Sequence, residues 1–547
     1  MPESLEPASD GALHSTRRAR SRRWWLPGLI LITLVLAIIT IHVNDSLAEN
    51  WQARLGMQWL ACSLALLMIL VWFMLLGGYS RRARVQGVVV MILAYIAFRA
   101  VVRNVELSGD LVPTLEFRWE PLPDTILVEH RRRHQAKGPI ELPQNIDDLL
   151  AQSSPGYRGL HRDGRTGTQD LSTNWTTQPP ACRWRQPVGG GYAGFALLEQ
   201  ILVTLEQRES DEALVAYDAA SGAELWCYRY PASFTSVLSG EGPRATPCIS
   251  DGRVFSVGAL GQLLCVELTT GKRVWHVDLF AENGMAALAS GIAASPLVVG
   301  PNVVVYVGAQ GGTETTRAML AFNRSTGSRV WGGGRAGSAY VSPMLVEIAD
   351  SQQILIYDCM GVAGFDPNSG EELWRFLLKD DLHIIAAQPV VLSKGRIFFA
   401  SEADSHMIQV SRVDGLWKVE PLWNSITLRC AFCSPIAVEE SLYGLDGGIL
   451  TCIDITTGKR RWKRGRFGHG QMLLVNDYLL VQAEFGEIAL VAVDPNQFRE
   501  LGRFVALDDK TWNIPSLVAG RLFLRNHREM TCYDLRPVGA TATLAAP

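Results

Sequence analysis

Val215-Ala216-Tyr217-Asp218-Ala219-Ala220-Ser221-Gly222-Ala223-Glu224-Leu225-Trp226 reads as a strand, a tight turn and the start of a second strand, and the same pattern returns along the chain. Later copies run Cys265-Val266-Glu267, Thr270-Gly271, Trp275, then Ala321-Phe322-Asn323, Thr326-Gly327, Trp331, and then Gly364-Phe365-Asp366, Ser369-Gly370, Trp374. A degenerate copy ends at Trp423, a clear one runs Cys452-Ile453-Asp454, Thr457-Gly458, Trp462, and a seventh at Ala492-Val493-Asp494 has lost its Gly and ends at Phe504. Each element has a physical task. Asp and Ser/Thr side chains hydrogen-bond the backbone of a hairpin turn, and Gly takes the positive φ the turn requires. Trp brings a large apolar face to one fixed place in every unit.

The spacing sets the architecture. From Trp184 through Trp226, Trp275, Trp331, Trp374, Trp423 and Trp462 to Phe504 the intervals are 42, 49, 56, 43, 49, 39 and 42 residues. A period of ~40–50 residues with four short strands per unit is that of a propeller blade. Seven intervals give seven blades. The stretch 504–535 holds three strand-like pieces and lacks a fourth, which the early strand around Cys182-Arg183-Trp184-Arg185 can supply. The expected fold is therefore all-β, an eight-bladed propeller over 181–536 closed by pairing its two ends, which removes free sheet edges. A second register supports it: Thr246-Pro247, Ser295-Pro296, Ser342-Pro343, Gln388-Pro389, Ser434-Pro435 and Ile514-Pro515 each open a short strand, with Gly468-His469-Gly470-Gln471 as the counterpart between Trp462 and Phe504. Coming first in its blade, this strand is expected to be innermost and to line the channel.

Ahead of the repeats lie a basic N-terminus (1–23) and a membrane domain (24–102) with three uncharged or nearly uncharged runs, 24–43, 55–78 and 85–102, the last containing Arg99. About 20 apolar residues cross ~30 Å of hydrocarbon as a helix. Arg17, Arg18, Arg20, Arg22 and Arg23 before the first run, and Arg81, Arg82 and Arg84 between the second and third, place those flanks in the cytoplasm. Three crossings then put the propeller outside it; with the third, shortest run not spanning, the propeller faces inward, and Arg131-Arg132-Arg133 is the charge cluster that argues for that arrangement. The expected location is a bacterial inner (cytoplasmic) membrane with an extracytoplasmic propeller. Residues 103–180 read as a linker that ends in a turn-rich lead-in loop, Gly156-Tyr157-Arg158-Gly159 and Arg162-Asp163-Gly164-Arg165, and 537–547 as a C-terminal tail.

Lys and Arg total 51 against 54 Asp and Glu, so the chain has no basic surplus with which to neutralise phosphates, and nucleic acid is not an expected partner. Of ten Cys, Cys62 lies in an apolar run and nine lie later, an odd number that cannot pair completely. Cys430-x-x-Cys433 reads as a redox pair, half a zinc site, a local disulfide or two buried thiols; no second pair stands at zinc-site spacing.

The unit A-x-D-x-x-[ST]-G-x-x-x-W resembles the tryptophan-docking repeat of the PQQ-like propeller superfamily, over roughly 155–536. That resemblance implies the propeller fold and two kinds of function, since the superfamily holds quinoprotein alcohol and glucose dehydrogenases as well as a non-catalytic propeller of bacterial outer-membrane protein assembly. Helices ahead of the propeller resemble both membrane-bound quinoprotein glucose dehydrogenases and bacterial membrane-anchored PQQ-like repeat proteins, the layout being most similar to the latter. Alcohol-oxidising members carry adjacent cysteines, which this chain lacks, and those with a fused haem carry C-x-x-C-H, whereas Ser434 follows Cys433. A Trp floor, an Asp base and a Glu/Asn/Asp calcium site are not recognisable at matching positions. Glucose-oxidising members lack the cysteine pair too.

The reading is a binding or scaffolding/assembly module whose partners are the lipid bilayer and another protein or peptide, with no catalytic residue, metal or cofactor expected. The alternative is a membrane-bound PQQ-dependent alcohol or sugar dehydrogenase using PQQ with Ca. Channel-lining ligand candidates are Arg244, Thr246, Gln388, His469, Gln471 and Asn513. Arg244 can hold a carboxylate or pair with a neighbouring blade's Asp; His469, between two glycines, can act as base or ligand or be a hydrogen-bonded structural histidine. Because the inner-strand residues include no carboxylate, firm calcium binding there is not expected. Trp184, Trp226, Trp275, Trp331, Trp374, Trp423 and Trp462 are expected to be structural, docking blade on blade.

Overall fold

The computed structural model describes residues 25–43, 51–109, 112–134, 153–236, 240–288, 291–309, 312–337, 339–378 and 385–537. The basic cluster at 17–23 and most of the 537–547 tail lie outside the described residues. The chain divides into two compact units, 1–103 and 104–547.

The first unit is helical. Helices span Trp25–Val43, Trp51–Val71 continued by a π-turn at Trp72–Leu76, and Arg81–Val101, the last N-capped by the Ser80 hydroxyl, which accepts from the Ala83 N–H at 3.2 Å. Among the described residues two stretches are long and apolar enough to cross a membrane, Met57–Leu76 and Arg81–Val101, while the first helix offers the shorter apolar stretch Trp25–Ile41. The sequence reading treats the third run as the shortest. In the structure that helix reaches back to Arg81, because Ser80 caps it ahead of the uncharged stretch, and the first is the shorter one.

The second unit contains eight four-stranded antiparallel sheets. Blade 1 is Ala196–Leu198, Ile201–Arg208, Asp211–Asp218 and Glu224–Pro231. Blades 2 to 7 occupy 248–278, 297–333, 344–377, 390–425, 436–466 and 471–505 in the same meander order. Blade 8 takes Ser516–Val518, Arg521–Arg525 and Glu529–Asp534 from the end of the chain and Ala181–Pro187 from before blade 1. The closing register pairs Ala181 with Asp534, Trp184 with Cys532 and Pro187 with Glu529.

The repeated turn joins the third and fourth strands of a blade. In blade 1 the Asp218 carboxylate accepts from the Ala220 N–H (3.0 Å) and the Ser221 hydroxyl (2.7 Å), and the Gly222 N–H donates to the Asp218 carbonyl (2.7 Å). The strand that follows carries a bulge: Trp226 faces Ala216 but Glu224 faces Tyr217, leaving Leu225 as the extra residue. The same irregularity recurs in all eight blades, at the residue before the tryptophan in seven of them and before Gly502 in blade 7. A bulge re-aims one side chain and tightens the local twist, and six of the seven indoles reach the following blade.

There the indoles make one type of contact. Trp184, Trp226, Trp275, Trp331, Trp423 and Trp462 donate Nε1–H to the carbonyls of Ala219, Leu268, Arg324, Pro367, Ile455 and Asp494, at 2.8–3.1 Å. Trp226, Trp275, Trp331 and Trp423 also cover Gly271, Gly327, Gly370 and Gly458, where a Cβ would strike the ring. Trp374 differs: blade 5 has no Asp-x-x-Thr-Gly turn, and this indole donates to Gln353 Oε1 of its own blade at 2.6 Å. Blade 7, which ends in Phe504, receives Trp175 from the lead-in chain, edge-on at 5.4 Å.

Gly271 and Gly252 share φ +67°, but only Gly271 lies under an indole, Gly252 having nothing within 4 Å. Gly252→Ala should therefore cost about 1 kcal/mol of left-handed strain, and Gly271→Ala about 1–3 kcal/mol more from the collision with Trp226. Denaturant midpoints of the detergent-solubilised full chain measure the difference; equal losses would contradict the docking role of Gly271.

The closing strands are also tied by charge. Arg536 (2.6 Å) and Arg183 (2.5 Å) hold the Asp534 carboxyl below the ordinary range, Arg536 contributing most and burial opposing. A depressed carboxyl stabilises the fold above the unfolded value of ~3.9 and loses that contribution as pH falls below it. In Asp534→Asn, the fall in thermal midpoint between pH 6 and pH 3 should be smaller than in the wild type.

Candidate functional site

In an antiparallel meander, the connections into the inner strands share one face with the loops between second and third strands. The turns after the inner strands share the other face with the Asp-x-x-Thr-Gly turns. Residues of the small-polar–Pro register sit where each inner strand begins. Pro has no N–H and holds the preceding residue extended, which frees that residue's own N–H to point sideways. The Gly194 N–H donates to Thr246 Oγ1 (3.0 Å), Thr246 N–H to Ser295 Oγ (2.9 Å), Ser295 N–H to Ser342 Oγ (2.8 Å) and Gln388 N–H to Ser434 Oγ (3.0 Å). The Gln388 amide donates to the Ser342 carbonyl at 3.0 Å, and the Asn513 amide to the Ala193 carbonyl at 2.8 Å. Gln471 reaches the Trp512 carbonyl at 3.4 Å. Thr246, Gln388, Gln471 and Asn513 thus stitch blade to blade around the channel.

His469 and Arg244 lie elsewhere. His469 is buried, with its N–H on Glu484 Oε2 (3.1 Å) and its ring against the edge of Phe432 (5.0 Å). Glu484 also accepts from the Gly109 N–H (2.6 Å) and from Trp512 Nε1 (3.2 Å), fastening the turn of the 102–117 hairpin over the channel mouth where inner strands begin. The guanidinium of Arg244 stands 4.5 Å from the centre of the Phe234 ring, and burial lowers its pKa despite Tyr340, Tyr192 and Glu212 nearby.

The opposite mouth is occupied by the lead-in loop. Ser154 bridges Leu197, the Pro155 carbonyl accepts from the Ile249 N–H (2.7 Å), and Arg165 bridges Leu474. From this loop a fully buried Arg162 donates to the carbonyls of Ser295 (3.1 Å), Pro343 (2.9 Å) and Pro296. Burial lowers its pKa. Between the loop and blades 4 to 6 a cavity of about 460 Å³ remains, lined by both charge signs, including Arg158, His161, Arg165, Arg396, Glu347 and Glu439.

A buried charge network in blade 1 escapes sequence reasoning. Glu206 accepts from the Tyr217 hydroxyl (2.6 Å), Arg208 (3.0 Å) and the Gly189 N–H, while Arg208 also reaches Glu224 at 3.0 Å. Burial alone would raise the Glu206 carboxyl, but Arg208 and Arg525 outweigh it and hold it below its ordinary value. The signal was present in Thr204, Glu206 and Arg208, alternate polar positions of a strand buried along its whole length. Cys430 and Cys433 are free, buried thiols; burial pushes Cys433 up to about 12 and Cys430 well above its ordinary value.

Among the described residues no group of three or more His, Cys, Asp or Glu could hold a metal ion. Buried carboxylates stand at Glu206, Glu212 and Glu484, outside the inner-strand register that the sequence shows to lack them. They come from second strands, third strands and loops rather than from the inner-strand register, and Arg208, Tyr230 and backbone N–H groups engage them. Both oxygens of each of these three carboxylates already accept a hydrogen bond, an arrangement that does not suit a calcium ligand beside a quinone.

Eight four-stranded blades joined by indole docking define a tryptophan-docking β-propeller. The family model described as "Outer membrane protein assembly factor BamB" matches residues 166–356 and 353–468, and the chain belongs to this PQQ-like repeat family. BamB of Yersinia pestis is 25% identical over 281 residues, 47% of this chain; the chain spans 64% of that relative's length. Among solved structures, quinohemoprotein alcohol dehydrogenase from Comamonas testosteroni shares the fold at 12% identity and TM-score 0.51, covering 74% of this chain and 83% of its own. BamB from Moraxella catarrhalis aligns at 14% identity and TM-score 0.49, covering 65% of this chain and 99% of its own.

Arg162→Met should leave three buried carbonyls without their donor and cost about 2–4 kcal/mol. Hydrogen exchange of the full chain should show amides 154–166 losing protection ahead of the blades; unchanged protection would mean the guanidinium does not hold the loop.

Proposed function

We propose that this chain is a membrane-anchored, extracytoplasmic propeller that binds another protein or peptide as an assembly or scaffolding module. The observation that carries the reading is the cavity of about 460 Å³ between the lead-in loop and blades 4 to 6. Arg158, Arg165 and Arg396 share that lining with Glu347 and Glu439, and a lining of both charge signs suits the mixed charges of a polypeptide segment better than one small neutral alcohol or sugar. Family membership supports it, since the curated relative is named for outer membrane protein assembly. The helices ahead of the propeller supply the anchor. In this reading all three cross an inner (cytoplasmic) membrane, the first with the shortest apolar stretch, and the propeller lies outside the cytoplasm. No resident cofactor is part of it.

The test places a photo-reactive p-benzoylphenylalanine at Glu347 or Arg396 of the full chain in cells. A discrete protein adduct is expected at both positions and none at Val413, a tip residue of the blade 5 hairpin. In parallel, purified chain with PQQ and Ca²⁺ should show no alcohol- or sugar-dependent dye reduction. Dye reduction requiring both additions, with no protein adduct, would replace the binding reading by the dehydrogenase.

A further inference from the structure

The segment between the last helix and the propeller has its polarity reversed. Strands Val102–Leu107 and Pro113–Phe117 form a two-stranded sheet whose turn is fixed by Glu484. Strand side chains alternate between faces, and a sheet lying on a protein in water turns its apolar face inward. Here the charged residues turn inward. Glu106 pairs with Lys510 at 3.3 Å and Glu116 with Arg528, each carboxylate side chain only 19% exposed. Their sequence neighbours Val105 and Leu115 are 42% and 41% exposed.

Further exposed apolar side chains follow in the same segment. Val112 is 58% exposed, Trp119 68% and Leu122 52%. The Phe117 and Trp119 rings lie stacked, 4.7 Å apart and 5° from parallel. In the following helix, Pro123–Arg133, Leu127 is buried while Ile126 is 43% exposed, and Arg131 ties the helix to Glu224 at 3.1 Å. The helix ends in Arg132 and Arg133, both exposed.

We infer that this apolar face, Val105, Val112, Leu115, Trp119, Leu122 and Ile126, docks on a phospholipid surface. The inference rests on the membrane-anchoring reading above. Three observations select lipid as the occupant. The strand begins at Val102, immediately after the 21-residue apolar helix Arg81–Val101, so chain continuity keeps the sheet beside whatever surface that helix leaves. Inward carboxylates with outward aliphatic side chains are the arrangement an apolar medium selects. An exposed tryptophan beside an exposed arginine, Arg118, suits the headgroup boundary, where indole is favoured and cations meet phosphates. Since Glu484, Lys510 and Arg528 lie in loops of one propeller face, docking would turn that face toward lipid and leave the cavity on the opposite face open to a partner.

The test uses the full chain in phospholipid nanodiscs with p-benzoylphenylalanine placed singly at Leu115, Trp119, Leu93 or Leu416. Leu93 lies within the apolar helix, and Leu416, 75% exposed, belongs to the blade 5 hairpin. After irradiation, lipid adducts at Leu115 and Trp119 should approach the Leu93 yield and exceed the Leu416 yield about tenfold. Lipid adducts at Leu93 with none at Leu115 and Trp119 would overturn the docking and leave the anchor standing. No lipid adduct at any position would overturn both. Protein adducts at Leu115 and Trp119, to a second copy or to another chain, would give the face to a protein and sink the lipid assignment.

Discussion

A closed ring of sheets has no end at which to stop, so each blade must cover a face of the next. Here the recurring contact is one indole laid over one glycine, its N–H on the next blade's turn carbonyl. Three local features make it possible. The Asp and Ser/Thr side chains fix the turn, the glycine takes a positive φ and leaves room for a ring, and the bulge before each tryptophan aims that ring outward from its own sheet. Where one feature is missing the contact changes. Blade 5 lacks the turn, and Trp374 satisfies its N–H on Gln353 instead. Blade 7 lacks the tryptophan, and Trp175 from outside the repeats packs against Phe504 and over Gly502.

The inner wall solves a different problem. Strand beginnings leave backbone N–H groups without a ladder partner, and burial makes an unpaired N–H costly. Thr246, Ser295, Ser342 and Ser434 supply the missing acceptors, each to the blade before it. The hydroxyls are therefore committed to holding the ring. Polar capacity for a partner lies instead at the mouths, where chain from outside the repeats has been added: the 102–117 hairpin on one face and the lead-in loop with Arg162 on the other.

This division explains the character of the molecule. The ring is built from short-range repeats and is shared with relatives of different activity, so it says little about what is bound. The two mouths are built from non-repeating sequence, with a cavity of mixed charge on one side and exposed apolar side chains on the other.

The sequence by itself determined the blade count, the closing strand and the docking tryptophans, because those depend on contacts between residues a fixed ~40–50 positions apart. In the seventh copy the lost tryptophan was legible but its place was not: the sequence pointed to Phe504, whereas the bulge puts Gly502 there. Three things were decided only in the tertiary structure. Thr246, Gln388 and Asn513 stand out in the one-dimensional pattern only as recurring polar residues, and that pattern does not show the hydrogen bonds that the Thr246 hydroxyl and the Gln388 and Asn513 amide N–H groups make to neighbouring blades. Glu484 and Arg162 looked ordinary, yet they are buried at junctions whose partners lie far away along the chain: Gly109 and Glu484 are 375 residues apart, and Arg162 and Pro343 are 181 apart. The reversed polarity of Val105-Glu106 and Leu115-Glu116 was likewise invisible, because alternation names two faces of a strand and only the packing of Lys510 and Arg528 decides which of them turns inward.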